Sequence, residues 1–326
     1  MPSSKTPFLF TATQSVADQL GEMSSFLLAN YTGLRELCWQ VRGFQHAFPS
    51  VTVAEMKKKF LAGLPMPGGI DLKRTCIDTT WAEHERAFAK WLLFEVCSLY
   101  EGWAEKVCSD IFPSMRAEVN AKQLQFPASV RRNGTRTGYV VAVADANASR
   151  STLIVQEFYP RLKAHPLNRW TKADEHLIAY RLFKECRNAL IHSDGTTTQE
   201  VVDYHSRVMT LQSATPKPFR HLFTMPLPVL GQPIQLVLRD CILLGTVVHR
   251  LIVTFDAALS VSSRCESILA NRLRAVVAAD KSKWRLLPID PIRHAQRLHR
   301  LLAAAKIPEP RNIVNVEVWM KATGVL

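Results

Sequence analysis

The chain has 326 residues, 47% of them hydrophobic and 21% charged, which is enough apolar material for a packed core and excludes wholesale disorder. Forty-one Lys and Arg against 28 Asp and Glu leave a net charge of +13, a surplus that favours a polyanionic partner, nucleic acid before membrane surface. The seven cysteines (Cys38, Cys76, Cys97, Cys108, Cys186, Cys241, Cys265) form no CxxC pair or zinc-ligand spacing, so buried reduced thiols in a cytoplasmic protein are expected, with no metal or other cofactor.

Residues 1–14 hold no sustained apolar run and no cleavage site, so no secretion leader is expected there. Residues 13–47 place Val16, Leu20, Met23, Phe26 and Leu27 at helical spacing and predict one or two helices. Thr52-Val53-Ala54-Glu55 is a capping box that opens a helix with a Lys57-Lys58-Lys59 face, and Met66-Pro67-Gly68-Gly69 is a break. From Trp81 to Ile111 apolar residues recur three or four apart. They predict one long helix, with Trp91, Tyr100 and Trp103 on its core face rather than exposed for base stacking.

Residues 113–170 carry weaker signals. Arg131-Arg132-Asn133-Gly134-Thr135-Arg136 reads as an exposed basic turn suited to phosphate contacts. Tyr139 to Val143 reads as a short strand, and residues 151–162 as helix or strand, with Pro160 awkward in either. Thr171 is the expected N-cap of the next helix, with Asp174 and Glu175 in its first turn. Leu177, Ile178, Leu182, Phe183, Cys186, Ala189 and Leu190 form its apolar face, and Gly195 provides a left-handed stop.

A helix near 198–212 follows, then a small β-hairpin over 222–238 turning at Gly231. The apolar run 241–255 predicts a helix near 240–258; His249 and Arg250 interrupt the run and it is short for a bilayer, so no membrane partner is expected. The remaining residues form a basic helical segment broken at Pro288, Pro291, Pro308 and Pro310, in which Lys283 and Arg285 are candidate phosphate contacts. The expected fold is mainly α: an N-terminal helical extension over 1–74, a central helical domain over 75–258 with an insertion at about 113–170, and the basic segment over 259–326.

The residues that carry chemistry lie on the helix ending at Ser193. Arg181, Glu185, Asn188 and His192 are spaced four, three and four, which makes one polar stripe on a helix with an apolar opposite face. Arg187 stands about 100° from Asn188, and its long stem can carry the guanidinium toward the same place. Histidine exchanges protons near neutral pH, and the planar arginine fork matches two phosphate oxygens. Asn188 and Glu185 can orient a hydroxyl or an imidazole. Cleavage by 2′-hydroxyl attack needs both a base and an acid, whereas one helix supplies one histidine; two copies across a two-fold axis supply both. No phosphate-loop, dinucleotide-binding, HExxH or GxSxG pattern occurs.

Arg187-Asn188-Ala-Leu-Ile-His192 resembles the signature of the HEPN (higher eukaryotes and prokaryotes nucleotide-binding) superfamily, with Trp81–Ile111 resembling the helix beside it. The resemblance covers about residues 75–258. It implies a helical bundle, a homodimer and a metal-independent endoribonuclease that leaves a 2′,3′-cyclic phosphate, with Arg187 and His192 as the catalytic pair and Asn188 as the polar residue. RNA is then the substrate, and roles as a toxin or phage-defence effector, restrained by an antitoxin or other regulatory partner, follow from the family. The insertion at 113–170 and the hairpin at 222–238 depart from its simplest members. The alternative from another class is a non-catalytic nucleic-acid-binding or scaffold protein, supported by Lys283, Arg285, Arg293, Arg297 and Arg300 in the basic C-terminal segment.

Overall fold

The computed structural model describes residues 8–62, 70–213, 219, 221–284 and 288–326. The expected break at Met66–Gly69 and the candidate contact Arg285 lie outside the described residues. The fold is mainly α, as expected, with one two-stranded sheet among the described residues.

Helix α1 (Thr11–Ala47) is a single 37-residue helix where one or two were expected. Its first half packs into the main core through Val16, Leu20 and Leu27. Cys38 and Val41, further along, build a second, smaller core with Met56, Leu72 and Cys76. Helix α2 (Val53–Phe60) starts on the expected capping box: Thr52 Oγ1 accepts from the Glu55 N–H at 3.3 Å and Glu55 Oε2 accepts from the Thr52 N–H at 2.8 Å. Helix α3 (Trp81–Ile111) has the expected bounds, and a second capping box, Thr80 with Glu83, fixes its start. Tyr100 and Trp103 are buried as expected, whereas Trp91 is 37% exposed.

Helix α4 (Ser114–Gln123) leads to the sheet, where β1 (Ser129–Val130) pairs antiparallel with β2 (Arg136–Thr137). The basic turn is therefore the tip of a hairpin: Arg131 N–H donates to Thr135 O and Gly134 N–H to Arg131 O, each at 2.9 Å, and Gly134 takes the left-handed step. Tyr139–Val143 is not a strand. It begins helix α5 (Tyr139–Asn147), which buries Tyr139, Ala142 and Ala146, and this helical spacing outweighs the β-propensity of Tyr-Val-Val. Residues 154–163 are helical: a π segment (Ile154–Phe158) runs into α6 (Tyr159–Lys163), where Pro160 lies in the first turn and needs no N–H partner.

Helix α7 (Ala173–His192) is preceded by a 3-10 turn, Trp170–Lys172, so Thr171 lies inside that turn and is not the N-cap. Helix α8 (Gln199–Ser213) follows. No strand pairing forms within 222–238. Pro226, Pro228 and Pro233 remove three N–H donors, and the segment pairs instead with the loop after α7. There Thr197 N–H donates to Gln232 O at 2.9 Å and Ile234 N–H to Gly195 O at 2.9 Å, around the expected turn at Gly231.

Helix α9 (Leu238–Leu259) has 22 residues and, by length and composition, could cross a membrane, because it extends beyond the interrupted run 241–255 at both ends. In this fold 61% of its most apolar window is buried, and α3 and α7 pack on it. The C-terminal segment forms α10 (Arg264–Ala279), α11 (Lys281–Trp284), α12 (Pro291–Ala304) and α13 (Ile313–Ala322). Helix α10 packs on α3, and α12 on α10.

Helices α3, α7 and α9 form the centre of the bundle, with α1 against α3 and α9 and α8 against α7. Tyr100, Trp103, Tyr180, Phe183 and Phe255 are its largest fully buried side chains. Asp256 of α9 is buried and accepts from the N–H groups of Leu9 and Phe10 at 2.9 and 3.1 Å, which fixes the chain ahead of α1. All seven cysteines are buried free thiols, as expected.

Candidate functional site

Helix α7 places Arg181, Glu185, Asn188 and His192 one turn apart on one side. Three of the four are joined. Arg181 is 8% exposed and forms an ion pair with Glu185, and Asn188 Nδ2 donates to the other Glu185 oxygen at 3.0 Å. The Arg181 guanidinium also lies 4.2 Å from the centre of the Phe126 ring and 5.7 Å from that of Tyr204. Arg181 and Glu185 are thus engaged within the chain, and Glu185 fixes the orientation of the Asn188 amide.

His192 ends the stripe, is exposed, and has no side-chain hydrogen bond or ion pair among the described residues. The helix stops there as the sequence predicts. Asp194 and Gly195 both take positive φ, 50° and 74°, and Gly195 N–H returns to Ala189 O at 3.1 Å. The pairing of Gly195 and Thr197 with residues 231–234 then braces the loop next to His192.

Arg187 does not swing over the stripe. Its guanidinium lies 5.9 Å from the Phe94 ring centre, on the α3 side, and its Nε is buried with no hydrogen-bond partner. It stands five positions before His192, about 7.5 Å along the axis and about 140° around it. On the same α3 side Lys184 is ion-paired with Glu101, which also accepts from Tyr180 Oη at 3.4 Å. Helices α3 and α7 therefore run antiparallel, with Phe94 meeting Arg187 and Glu101 meeting Lys184. Cys97 and Cys186 lie in this interface, and burial pushes both thiols up to about 12, so neither is a thiolate at neutral pH.

Arg131, Arg132 and Arg136 are all exposed on the β1–β2 hairpin, and no carboxylate pairs with them among the described residues. Lys283 is exposed too, but its ammonium lies 4.9 Å from the Trp284 ring, which Arg297 covers from 5.2 Å. The described sequence-predicted residues thus fall into four places: the α7 stripe with Arg187, the hairpin, Lys283 on α11, and Arg293, Arg297 and Arg300 on α12.

The sequence reading did not single out Phe126, Tyr204 or Arg207. Tyr204 and Arg207 stand three apart on α8, and the guanidinium lies 4.9 Å from the ring centre. Their i,i+3 spacing is readable; the approach of Tyr204 to Arg181 depends on how α8 packs on α7. Among the described residues no three His, Cys, Asp or Glu side chains are placed to share a metal ion. No protein-family model, curated protein or solved structure matches the chain.

Proposed function

We propose that the chain is a HEPN-like, metal-independent endoribonuclease whose site forms across a homodimer at the C-terminal end of α7. The observation that carries this reading is the state of three side chains in the last two turns of α7. Among the described residues His192 is exposed without a side-chain partner, Asn188 is oriented by Glu185, and the Nε of Arg187, on the α3 side, has no acceptor. A histidine for proton transfer and an arginine with spare donors are what phosphodiester cleavage requires.

The dimer follows from two features. One chain supplies one histidine to a reaction that needs an acid and a base. Apolar surface also gathers at this end: Ile191 is 43% exposed, and Trp91, one turn before Phe94 on antiparallel α3, is 37% exposed. A second copy on this face would bring two histidines together and cover both side chains. In this reading Arg187 holds the scissile phosphate, one His192 takes the 2′-hydroxyl proton, and the other protonates the leaving 5′ oxygen.

A second reading, nucleic-acid binding without catalysis, is favoured by the exposed cations Arg131, Arg132 and Arg136, which have no carboxylate partner among the described residues. Incubation with total RNA in EDTA separates the two. Catalysis requires cleavage by wild type and none by His192→Ala or Arg187→Ala; the binding reading requires RNA retention by all three without cleavage.

A further inference from the structure

The β1–β2 hairpin, the chain after α4 and helix α8 enclose a cleft of about 380 Å³. Arg131 and Arg207 stand on it, Phe126 and Tyr204 supply its rings, and no carboxylate lines it. Both arginines are exposed and lack an acidic partner among the described residues, so their charge is available to a ligand. Phe126 is 40% exposed despite its size. A large ring left half in solvent beside unpaired guanidinium groups suits a ligand with both a flat face and a negative charge.

The cleft is rigidly built. Tyr139 N–H donates to Phe126 O at 3.0 Å, and Ala128 N–H donates to Asp174 of α7 at 2.6 Å. Gly138, on the cleft wall, has φ +85°, and a Cβ there would stand 2.0 Å from Pro127 O, so the backbones meet more closely than any side chain allows. Arg181 packs against both Phe126 and Tyr204 and pairs with Glu185, which orients Asn188. Both rings of the cleft thus touch the first residue of the α7 stripe.

We infer that this cleft seats an unpaired nucleotide of an RNA strand, its base against Phe126 and Tyr204 and its phosphates on Arg131 and Arg207. Base-paired RNA keeps its bases stacked inside the helix and presents no free face, so the cleft selects single-stranded substrate. This deepens the nuclease reading and rests on it for the identity of the strand. One seated nucleotide would hold the RNA at a fixed offset from the C-terminal end of α7.

Fluorescence anisotropy with a labelled oligouridylate in EDTA tests this on the 326-residue chain. Wild type is expected to bind the single strand more tightly than an RNA duplex of equal length. Tyr204→Leu, which keeps the packing volume, and Arg207→Gln, an exposed substitution, should each weaken binding about tenfold. Lys58→Gln, the same charge loss on α2, should leave it unchanged. Equal affinity of Tyr204→Leu and Arg207→Gln to wild type overturns the inference, as does preference for the duplex.

The cleavage assay keeps the two claims separate. Loss of binding in the cleft variants alongside undiminished cleavage by His192→Ala would keep the cleft and remove the nuclease assignment. Normal binding by the cleft variants alongside an inactive His192→Ala would remove the cleft and keep the nuclease.

Discussion

Asn188 donates from Nδ2 to Glu185 Oε2 at 3.0 Å, while the other oxygen of Glu185 holds the buried guanidinium of Arg181. One carboxylate therefore neutralises a charge in the wall of the bundle and orients an amide next to the end of α7. Both jobs fail together when the carboxylate is removed. Glu185→Ala should destabilise the protein by about 3–5 kcal/mol in urea titration, because it strands Arg181 unpaired. Arg181→Met combined with Glu185→Leu should recover most of that loss. A Glu185→Ala cost under about 1 kcal/mol, the range of exposed pairs, would show that the pair is solvated in solution.

Glycine is required at one position of the hairpin more than at its tip. Gly138 has φ 85° and ψ −172°, a region that only glycine occupies readily, and its wall is Pro127 O. Gly134 has φ 79° with no atom within 4 Å of an added Cβ. Gly134→Ala should therefore cost about 1–2 kcal/mol, the backbone penalty alone. Gly138→Ala should cost more, and should also reduce RNA binding by distorting the cleft. Equal melting temperatures for the two variants would contradict this difference.

Two buried groups give opposite pH dependences in one window. Burial pushes the Asp256 carboxyl up to about 6, while an unfolded carboxyl titrates at about 3.9. The folded chain binds this proton more tightly, so the contribution of Asp256 to stability declines as pH rises from about 4 to about 6. Burial lowers His176 to about 4, against about 6.5 unfolded. The folded chain holds His176 neutral, so its contribution is present above about pH 6.5 and is lost as pH falls toward about 4. Asp256→Asn removes the first effect. Its urea midpoint should fall more steeply on acidification through this window than that of wild type, and parallel profiles would contradict the assignment.

How much of this was legible depended on whether a segment's fate was local. Helix α3 reads from sequence with its observed bounds, because 31 residues of helical periodicity and a break at each end leave no competing structure. The stop at Ser193-Asp194-Gly195 reads for the same reason. Tyr139–Val143 misleads because its β-branched residues favour a strand, and only burial against neighbouring helices makes it a helix. Residues 222–238 mislead because their pairing partner is the loop after α7, outside the segment. At the site, the stripe follows from 3.6-residue arithmetic, but the tertiary contacts do not. That Arg181 is sealed by Phe126 and Tyr204, and that Arg187 lies against Phe94, depend on which helices flank α7.

The nuclease proposal assigns Arg187 a planar, two-pronged hold on phosphate. Lysine keeps the charge and loses the fork. Arg187→Lys should therefore lower the single-turnover cleavage rate by about 10²-fold, the scale of losing one preorganised donor, with little change in affinity for RNA. A rate equal to wild type would mean that charge alone serves here, or that Arg187 does not touch the substrate.

End-group analysis of the products of RNA cleavage in EDTA, comparing wild type with His192→Ala, tests the central claim most directly. The account predicts 2′,3′-cyclic phosphate and 5′-hydroxyl ends from wild type, and no products above background from His192→Ala. Identical products from both proteins, or 5′-phosphate ends from wild type, would contradict it.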